Sequence, residues 1–195
     1  MTITINGNGT VTGVSVGGLP DGIVDTDMIA ASAVTAAKSS GSAKGITEFD
    51  MWRVTSNFTQ QNADITSNWE RADTNFEKIG TGLTESSGIF TFPSNGIWLV
   101  GFMAYIWTSA APDHAGISIK VSNNSGGSYD VRTETLTSVN DDELAASLFT
   151  TTCLDISNAA AMPMKFTTVA AASISWNGHT DQQRTGFWTL KLGDT

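Results

Sequence analysis

The residue types that could carry out catalysis or bind a metal are few in this chain, and they are widely separated. The histidines His114 and His179 stand in polar, turn-rich contexts with no cysteine or histidine cluster nearby, which is a poor pattern for a metal site. No Gly-x-Ser-x-Gly, His-Glu-x-x-His or phosphate-binding glycine-rich motif occurs in the 195 residues. The sequence therefore predicts no catalytic residues, no cofactor and no enzymatic activity, with both histidines in exposed loops.

An acidic cluster, Asp141, Asp142 and Glu143, follows Asn140. We interpret it first as a solvated loop. Carboxylate and amide oxygens are hard ligands, so a calcium loop is the alternative, although the ligand spacing of a helix–loop calcium site is missing. Paired carboxylates can also hydrolyse glycosidic bonds, and a glycan-degrading enzyme is the third interpretation of this cluster.

Tryptophan rings could serve glycan binding, because a ring face can stack on the apolar C–H surface of a sugar. Most of the candidate rings are expected in a core or an interface; they are Trp52, Trp69, Trp107 and Trp176. One loop combines a tryptophan with amide, imidazole and carboxylate groups and supplies the glycan-binding candidates: Trp176, Asn177, His179 and Asp181.

Charge and hydropathy exclude several classes of partner. The net charge of −9 argues against nucleic-acid binding, which needs a basic stripe to displace counterions, and against docking on an anionic membrane. No signal peptide is visible, and no apolar run approaches the length of a membrane span. The single cysteine, Cys153, rules out an intrachain disulfide and is expected to be a small buried apolar residue.

The chain has two parts of unequal character. All 17 aromatic residues lie at Phe49 or beyond, so residues 1–46 have little with which to build a core of their own. Alternating apolar residues around the turn sequence Asn6-Gly-Asn-Gly9 predict a β-hairpin, and Asp25 and Asp27 could cap a short helix before a Ser/Gly-rich linker. We expect partner contacts to cover this attachment segment at Ile3, Ile5, Val11, Val14, Val16, Ile23 and Ile29.

Residues 47–195 predict an all-β head domain. Eight to ten short apolar stretches separated by turn signals are typical of an antiparallel sandwich, and they include 96–108, 144–156 and 184–193. The stretch 96–108 is apolar on both faces, as is the last strand, so each needs a covering on two sides. One side belongs to the sandwich core, and a neighbouring subunit is the simplest covering for the other.

Two segments resemble known families. Val16 to Lys38 resembles a segment of bacteriophage tail-fibre and particle-appendage proteins, with the pattern G-x-V-x-T-x-x-I-A-x-x-A-V-T-x-x-K. Gly88-Ile-Phe-Thr-Phe-Pro93 and Gly96-Ile-Trp98 resemble the G-x-F-T-x-P and G-x-Y elements of trimeric complement-type and tumour-necrosis-factor-like (TNF-like) jelly rolls, with Trp in place of Tyr. Phe187 lies in a stretch, 184–190, that resembles the closing S-G-F-x-L strand of that family.

The second resemblance implies a homotrimer whose subunits pack along a central aromatic axis. The residues expected at that axis are Trp98, Val100, Phe102, Phe187, Trp188 and Leu190. Together the resemblances imply a structural virion protein: a trimeric bacteriophage fibre or spike, held on a tail or a head by its N-terminus, with a jelly-roll head that binds host-surface glycan. The alternative is a capsid decoration or connector protein that contacts other virion proteins and binds no receptor.

Overall fold

The computed structural model describes Thr4–Ile5, Val11–Thr12 and residues 45–74, 76–108, 111–140 and 144–195. The chain divides into two compact units, Met1–Lys44 and Gly45–Thr195. In the first unit, β1 (Thr4–Ile5) pairs antiparallel with β2 (Val11–Thr12), which confirms the predicted hairpin. The predicted helix and linker lie outside the described residues, as do five of the attachment candidates: Ile3, Val14, Val16, Ile23 and Ile29.

The second unit, which we call the head, consists of β-strands joined by turns and loops in its described part. The strands are β3 (Phe49–Val54), β4 (Phe58–Gln60), β5 (Ala63–Asp64), β6 (Trp69–Arg71), β7 (Thr84–Ser86), β8 (Ile89–Thr91), β9 (Gly96–Thr108), β10 (Asp113–Val121), β11 (Asp130–Val139), β12 (Leu144–Ile156), β13 (Met164–Ala170), β14 (Ile174–Trp176) and β15 (Gly186–Gly193).

The strands form two antiparallel sheets. One sheet has the order β11-β10-β13-β8-β7, with β5 also paired to β13. The other has the order β4-β14-β9-β15-β3-β6, with β12 also paired to β9. The described part of the head contains no helix, and the predicted all-β antiparallel sandwich is confirmed.

The long strands β9 and β12 organise the second sheet. They pair along all 13 residues, from Gly96 opposite Ile156 to Thr108 opposite Leu144. Both spans coincide with the predicted stretches 96–108 and 144–156. Because successive side chains of a strand point to opposite faces, the even-numbered residues of β9 enter the core and the odd-numbered residues face outwards.

The core is an aromatic cluster between the two sheets. Phe102 of β9 and Phe187 of β15 meet Phe166 of β13, with ring centroids 4.7 and 4.2 Å from the Phe166 ring. Phe90 of β8 lies 4.6 Å from Phe187, and all four rings are fully buried. Aromatic pairs at these separations add to the free energy gained from burial, so this cluster joins the two sheets.

An ionic cluster joins β5 to the strands beside it. Asp64 accepts hydrogen bonds from Lys165 Nζ at 2.5 Å and Thr167 Oγ1 at 2.6 Å, and Lys120 Nζ lies 3.6 Å away. Partial burial by itself would raise the pKa of Asp64. The hydrogen bonds from Lys165 and Thr167, with the charges of Lys165 and Lys120, outweigh burial and hold that pKa below its ordinary value.

The free energy of unfolding should therefore depend on the ionisation of Asp64. A carboxyl whose pKa is lowered in the folded state stabilises the fold above the unfolded value of about 3.9, and this contribution is lost as the pH falls through the lower folded pKa. In urea unfolding at a series of pH values, Asp64→Asn should weaken the fall in stability between about pH 5 and pH 2. The control is Asp181→Asn, at an exposed loop position. A wild-type slope in Asp64→Asn would contradict this account.

Candidate functional site

The side of the second sheet that points away from the core carries an apolar surface, which we call the outer face. Strand register brings its members together across β3, β15, β9 and β12. They are Phe49, Met51, Leu99, Met103, Tyr105, Phe149, Trp188 and Leu190. Phe149 is 51% exposed, and at one end of the surface Phe76 packs edge-on against Phe49, with ring centroids 5.3 Å apart.

Trp188 lies at the centre of the outer face. A Cβ atom at position 101 would collide with its indole, so the absence of a side chain at Gly101 lets the ring lie against the backbone of β9. The ring also stacks on Phe49, with centroids 6.5 Å apart and an interplanar angle of 27°. The backbone at Gly101 lies beneath the indole of Trp188 and the Phe49 ring lies beside it. These contacts hold the ring in place with its other face directed outwards.

The structure revises the side chains expected at the subunit axis. Trp98, Val100, Phe102 and Phe187 each have 0% exposure and pack in the core of this chain, so they are not available to a partner. Trp188 and Leu190 alternate with the core residues of β15 and lie on the outer face. Their position at an axis stays a prediction, and on β9 the apolar side chains that face outwards include Leu99 and Met103.

Ion pairs border the outer face at the edge formed by β3 and β6. Arg53, which is 3% exposed, bonds Glu70 at 3.1 Å and Asp73 at 2.5 Å. The hydrogen bond from Arg53 lowers the pKa of the exposed Asp73 carboxyl below its ordinary value. The outer face is thus an apolar surface with a charged rim along this edge.

A buried carboxylate lies on the core side of the same strand. Asp50 is 1% exposed and pairs with Arg71, whose Nε lies 2.9 Å from Oδ1. Trp52 Nε1 and the backbone N–H of Leu83 donate to Oδ2 at 3.0 and 2.8 Å. All of these donors bond to the Asp50 carboxylate, and the described contacts place no nucleophile beside it. We therefore interpret the hydrogen-bond network around Asp50 as structural.

In the loop that was expected to bind glycan, which begins at Trp176, the tryptophan ring is buried and not exposed. Trp176 has 0% exposure, pairs with Ile106 and donates its indole N–H to the carbonyl of Gln60 at 3.3 Å. A buried ring cannot stack on a sugar, so the proposed role of Trp176 is wrong. The sequence suggested exposure because the residues that follow are polar, whereas β14 turns this ring into the core.

The other three members of that loop differ in exposure. His179 is partly buried, and its Nδ1 accepts hydrogen bonds from the backbone N–H groups of Asp181 and Gln182 at 2.9 and 3.2 Å, so it fixes the loop. Asp181 is exposed. Asn177 is 7% exposed, and its Nδ2 has no hydrogen-bond partner among the described residues.

Trp107 is the exposed tryptophan of the sheet, with 55% of its surface accessible. It lies next to the end of β9 and borders two clefts, each of about 530 Å³. Asn177 borders both clefts as well. Among the four tryptophans considered for glycan binding, Trp107 is the one whose ring is exposed beside a concave surface.

Further expectations concern the acidic cluster, membrane spans and Cys153. Asp141, Asp142 and Glu143 lie outside the described residues. Within the described ranges, no group of three or more His, Cys, Asp or Glu side chains could hold a metal ion, and no helix is long and apolar enough to cross a membrane. Cys153 was expected to be buried and is exposed, because its position in β12 places it on the same side as Phe149.

Comparison with known proteins bears on the fold. No family model and no curated protein matches the sequence. The solved structure of Eiger TNF from S. frugiperda is similar, with a TM-score of 0.60 and 14% identity over 75% of this chain and 93% of that chain. Murine APRIL at pH 8.5 gives a TM-score of 0.54 and 11% identity over 74% of this chain and 98% of that chain. At pH 5.0 it gives 0.55 and 10%, with the same coverage.

These likenesses agree with the sheet topology of the head. Two antiparallel sheets packed around an aromatic core, with β9 and β12 paired along their full lengths, form the same architecture as those structures. The predicted jelly roll of the TNF type is therefore confirmed as the fold of the C-terminal unit.

Proposed function

We propose that this protein is a homotrimeric, non-enzymatic structural protein of a virus particle, assembled through the outer face of its jelly-roll head. The observation that carries the proposal is the apolar outer face centred on Trp188. Monomeric proteins seldom leave a large contiguous apolar surface in contact with water. A face of this kind, on a chain whose core is already complete, is suited to permanent contact with other subunits.

Two further copies of this chain are the proposed covering. The sequence resemblance to trimeric complement-type and TNF-like heads implies three-fold packing along an aromatic axis, and the TNF-type fold is compatible with it. The net charge of −9 does not oppose association, because the outer face consists of uncharged side chains and its charges stand at the rim. Three such faces would exclude water from Trp188, Leu190 and Leu99 of each subunit.

The proposed place of the trimer is a bacteriophage appendage. Support comes from the appendage-like segment Val16 to Lys38 and from the lack of aromatic residues before Phe49. Residues 1–46 would be the attachment segment, held by another virion protein or by the sister chains. The head would then face the host surface and bind its glycans.

One experiment tests assembly and attachment together. Sedimentation of the full-length protein and of a chain that starts at Ile46 should show a trimer for both, because the outer face belongs to the head. Only the full-length protein should be incorporated into particles when each is supplied to a virus lacking the native copy. A monomer at micromolar concentration would contradict trimer formation, and incorporation of the shortened chain would contradict attachment through residues 1–46.

A further inference from the structure

We infer that the two clefts on either side of Trp107 form one binding site for an oligosaccharide of pyranose sugars. The inference deepens the host-glycan part of the proposed function and rests on that function for its biological setting. The site lies towards the end of β9, eight residues beyond Leu99, which is about 26 Å at the rise of a strand. It adjoins the outer face, because Met103 and Tyr105 of that face also border the first cleft.

Trp107 supplies the apolar element of such a site. Its neighbours Ile106 and Thr108 point into the head and are buried, whereas the Trp107 side chain points outwards and is 55% exposed. Because the Trp107 ring lies outside the core, it adds little to the packing of the core. An exposed indole between two concave surfaces offers a flat, rigid face, which suits the flat C–H face of a pyranose ring.

The clefts supply polar groups of the kind that recognise sugar hydroxyls. The first is bordered by Tyr105, Ser147, Gln183 and Arg184, and the second by Asn57, Thr59, Ser173 and Ser175. Hydroxyl and amide groups can both donate and accept hydrogen bonds. Each cleft, at about 530 Å³, is in the range of sites that hold small ligands. Two clefts that share one ring fit a ligand of several linked sugars better than a single sugar.

Asn177 provides the observation that points most directly to a ligand. Its side chain borders both clefts, and its Nδ2 is buried without a hydrogen-bond partner in the described part of the chain. A buried amide donor is normally satisfied. A small rotation of the amide towards either cleft would let this group donate to a sugar oxygen.

The position of Asn177 is fixed before any ligand arrives. Its backbone N–H donates to the carbonyl of Tyr105 at 2.9 Å, and the following Gly178 N–H donates to Asn57 Oδ1 at 3.0 Å. A side chain at Gly178 would collide with the backbone of Ser56, so the turn is closely packed. A rigid site loses little conformational entropy when it binds.

The described lining of the clefts carries a positive charge and no carboxylate. The chain has 19 Asp and Glu residues, yet none is among the described residues that border either cleft. Glycoside hydrolysis ordinarily needs two carboxyl groups at the scissile bond, and the described lining residues supply none. The charged group among the described lining residues, Arg184, favours neutral or acidic sugars over basic ones.

The test compares the wild type with Trp107→Ala, Trp107→Phe and Leu136→Ala. Leu136 is a matched control, since it is 53% exposed and lies on β11 of the other sheet. Each protein is applied to an array of neutral and uronic-acid oligosaccharides of two to six sugars. Acrylamide quenching of tryptophan fluorescence is then measured with and without the oligosaccharides that bind. We expect the wild type to bind a subset, which protects Trp107 from acrylamide.

Affinity for that subset should fall at least about tenfold in Trp107→Ala. It should fall less in Trp107→Phe, which keeps an aromatic face, and stay unchanged in Leu136→Ala. Identical profiles for the wild type and Trp107→Ala, including no binding by either, would overturn the inference. So would an equal loss in Leu136→Ala.

Sedimentation of the same samples separates this inference from the proposed function. A wild-type trimer that binds no sugar would refute the glycan site alone. A wild-type monomer with Trp107-dependent binding would refute assembly alone. A trimer that dissociates in Trp107→Ala would place this residue in the subunit interface and overturn the glycan inference.

Discussion

Asp50→Ala should destabilise the head by about 3–5 kcal/mol, the range found when one partner of a buried ion pair is removed. The carboxylate accepts from Arg71 at 2.9 and 3.2 Å, from Trp52 Nε1, and from the N–H groups of Met51 and Leu83. Alanine would leave these donors without an acceptor, and most of them have little access to water. Domains of this size are stable by only about 5–15 kcal/mol, so the loss would be a large part of the total.

Urea unfolding followed by circular dichroism, at one fixed protein concentration, measures this effect. Asp181→Ala is the matched control, because it removes a carboxylate at an exposed position and should change stability by no more than about 0.5 kcal/mol. A second variant, Asp50→Ala with Arg71→Met, should recover part of the loss, since it also removes the unpaired cation. A loss below about 1 kcal/mol in Asp50→Ala would show that the network contributes little.

The sequence could not reveal this network. Asp50 meets Arg71 across 21 positions and Leu83 across 33 positions. These contacts depend on the pairing of β3 with β6 and on the path of the loop before β7. Periodicity and turn signals describe neighbours along the chain, so they predict where a strand lies and not which distant donors its side chains meet.

Strand positions could be predicted, because they depend on residues that are neighbours along the chain. β9 and β12 occupy the stretches expected from composition, because a long run of apolar and β-branched residues bounded by turn residues has few other structures. The orientation of β9 was not predictable. Trp98, Val100 and Phe102 alternate with Ile97, Leu99 and Met103, and both sets are apolar. Either set could have formed the core, and only packing against Phe166 and Phe187 decides between them.

The candidate glycan site shows a related limit. Trp176 precedes a polar loop and was therefore favoured for glycan binding, whereas Trp107 ends an apolar run and was one of four tryptophans expected mostly in a core or an interface. The structure shows the opposite, with 0% exposure for Trp176 and 55% for Trp107. The side-chain period of two along β9 could have identified Trp107, if the orientation of that strand had been known.

Trp188→Glu should convert the proposed trimer into a folded monomer. The indole lies on the outer face, against Gly101 and beside Phe49, so its loss removes no residue from the core cluster. In a trimer, each substitution would give up roughly 1.5–3 kcal/mol of apolar burial. Each would also bring a carboxylate without a partner into the interface, which costs several kcal/mol more. Together these terms correspond to a weakening of association by at least about 1,000-fold.

Sedimentation at micromolar concentration, with circular dichroism on the same samples, distinguishes dissociation from unfolding. Leu136→Glu is the matched control, because it adds the same charge at an exposed apolar position on the other sheet and should leave a trimer. Gly101→Ala should weaken association by a smaller factor, since the added methyl group displaces the Trp188 ring without adding charge. If Trp188→Glu sediments as a trimer while its spectrum matches the wild type, the subunits must meet through a surface other than the outer face.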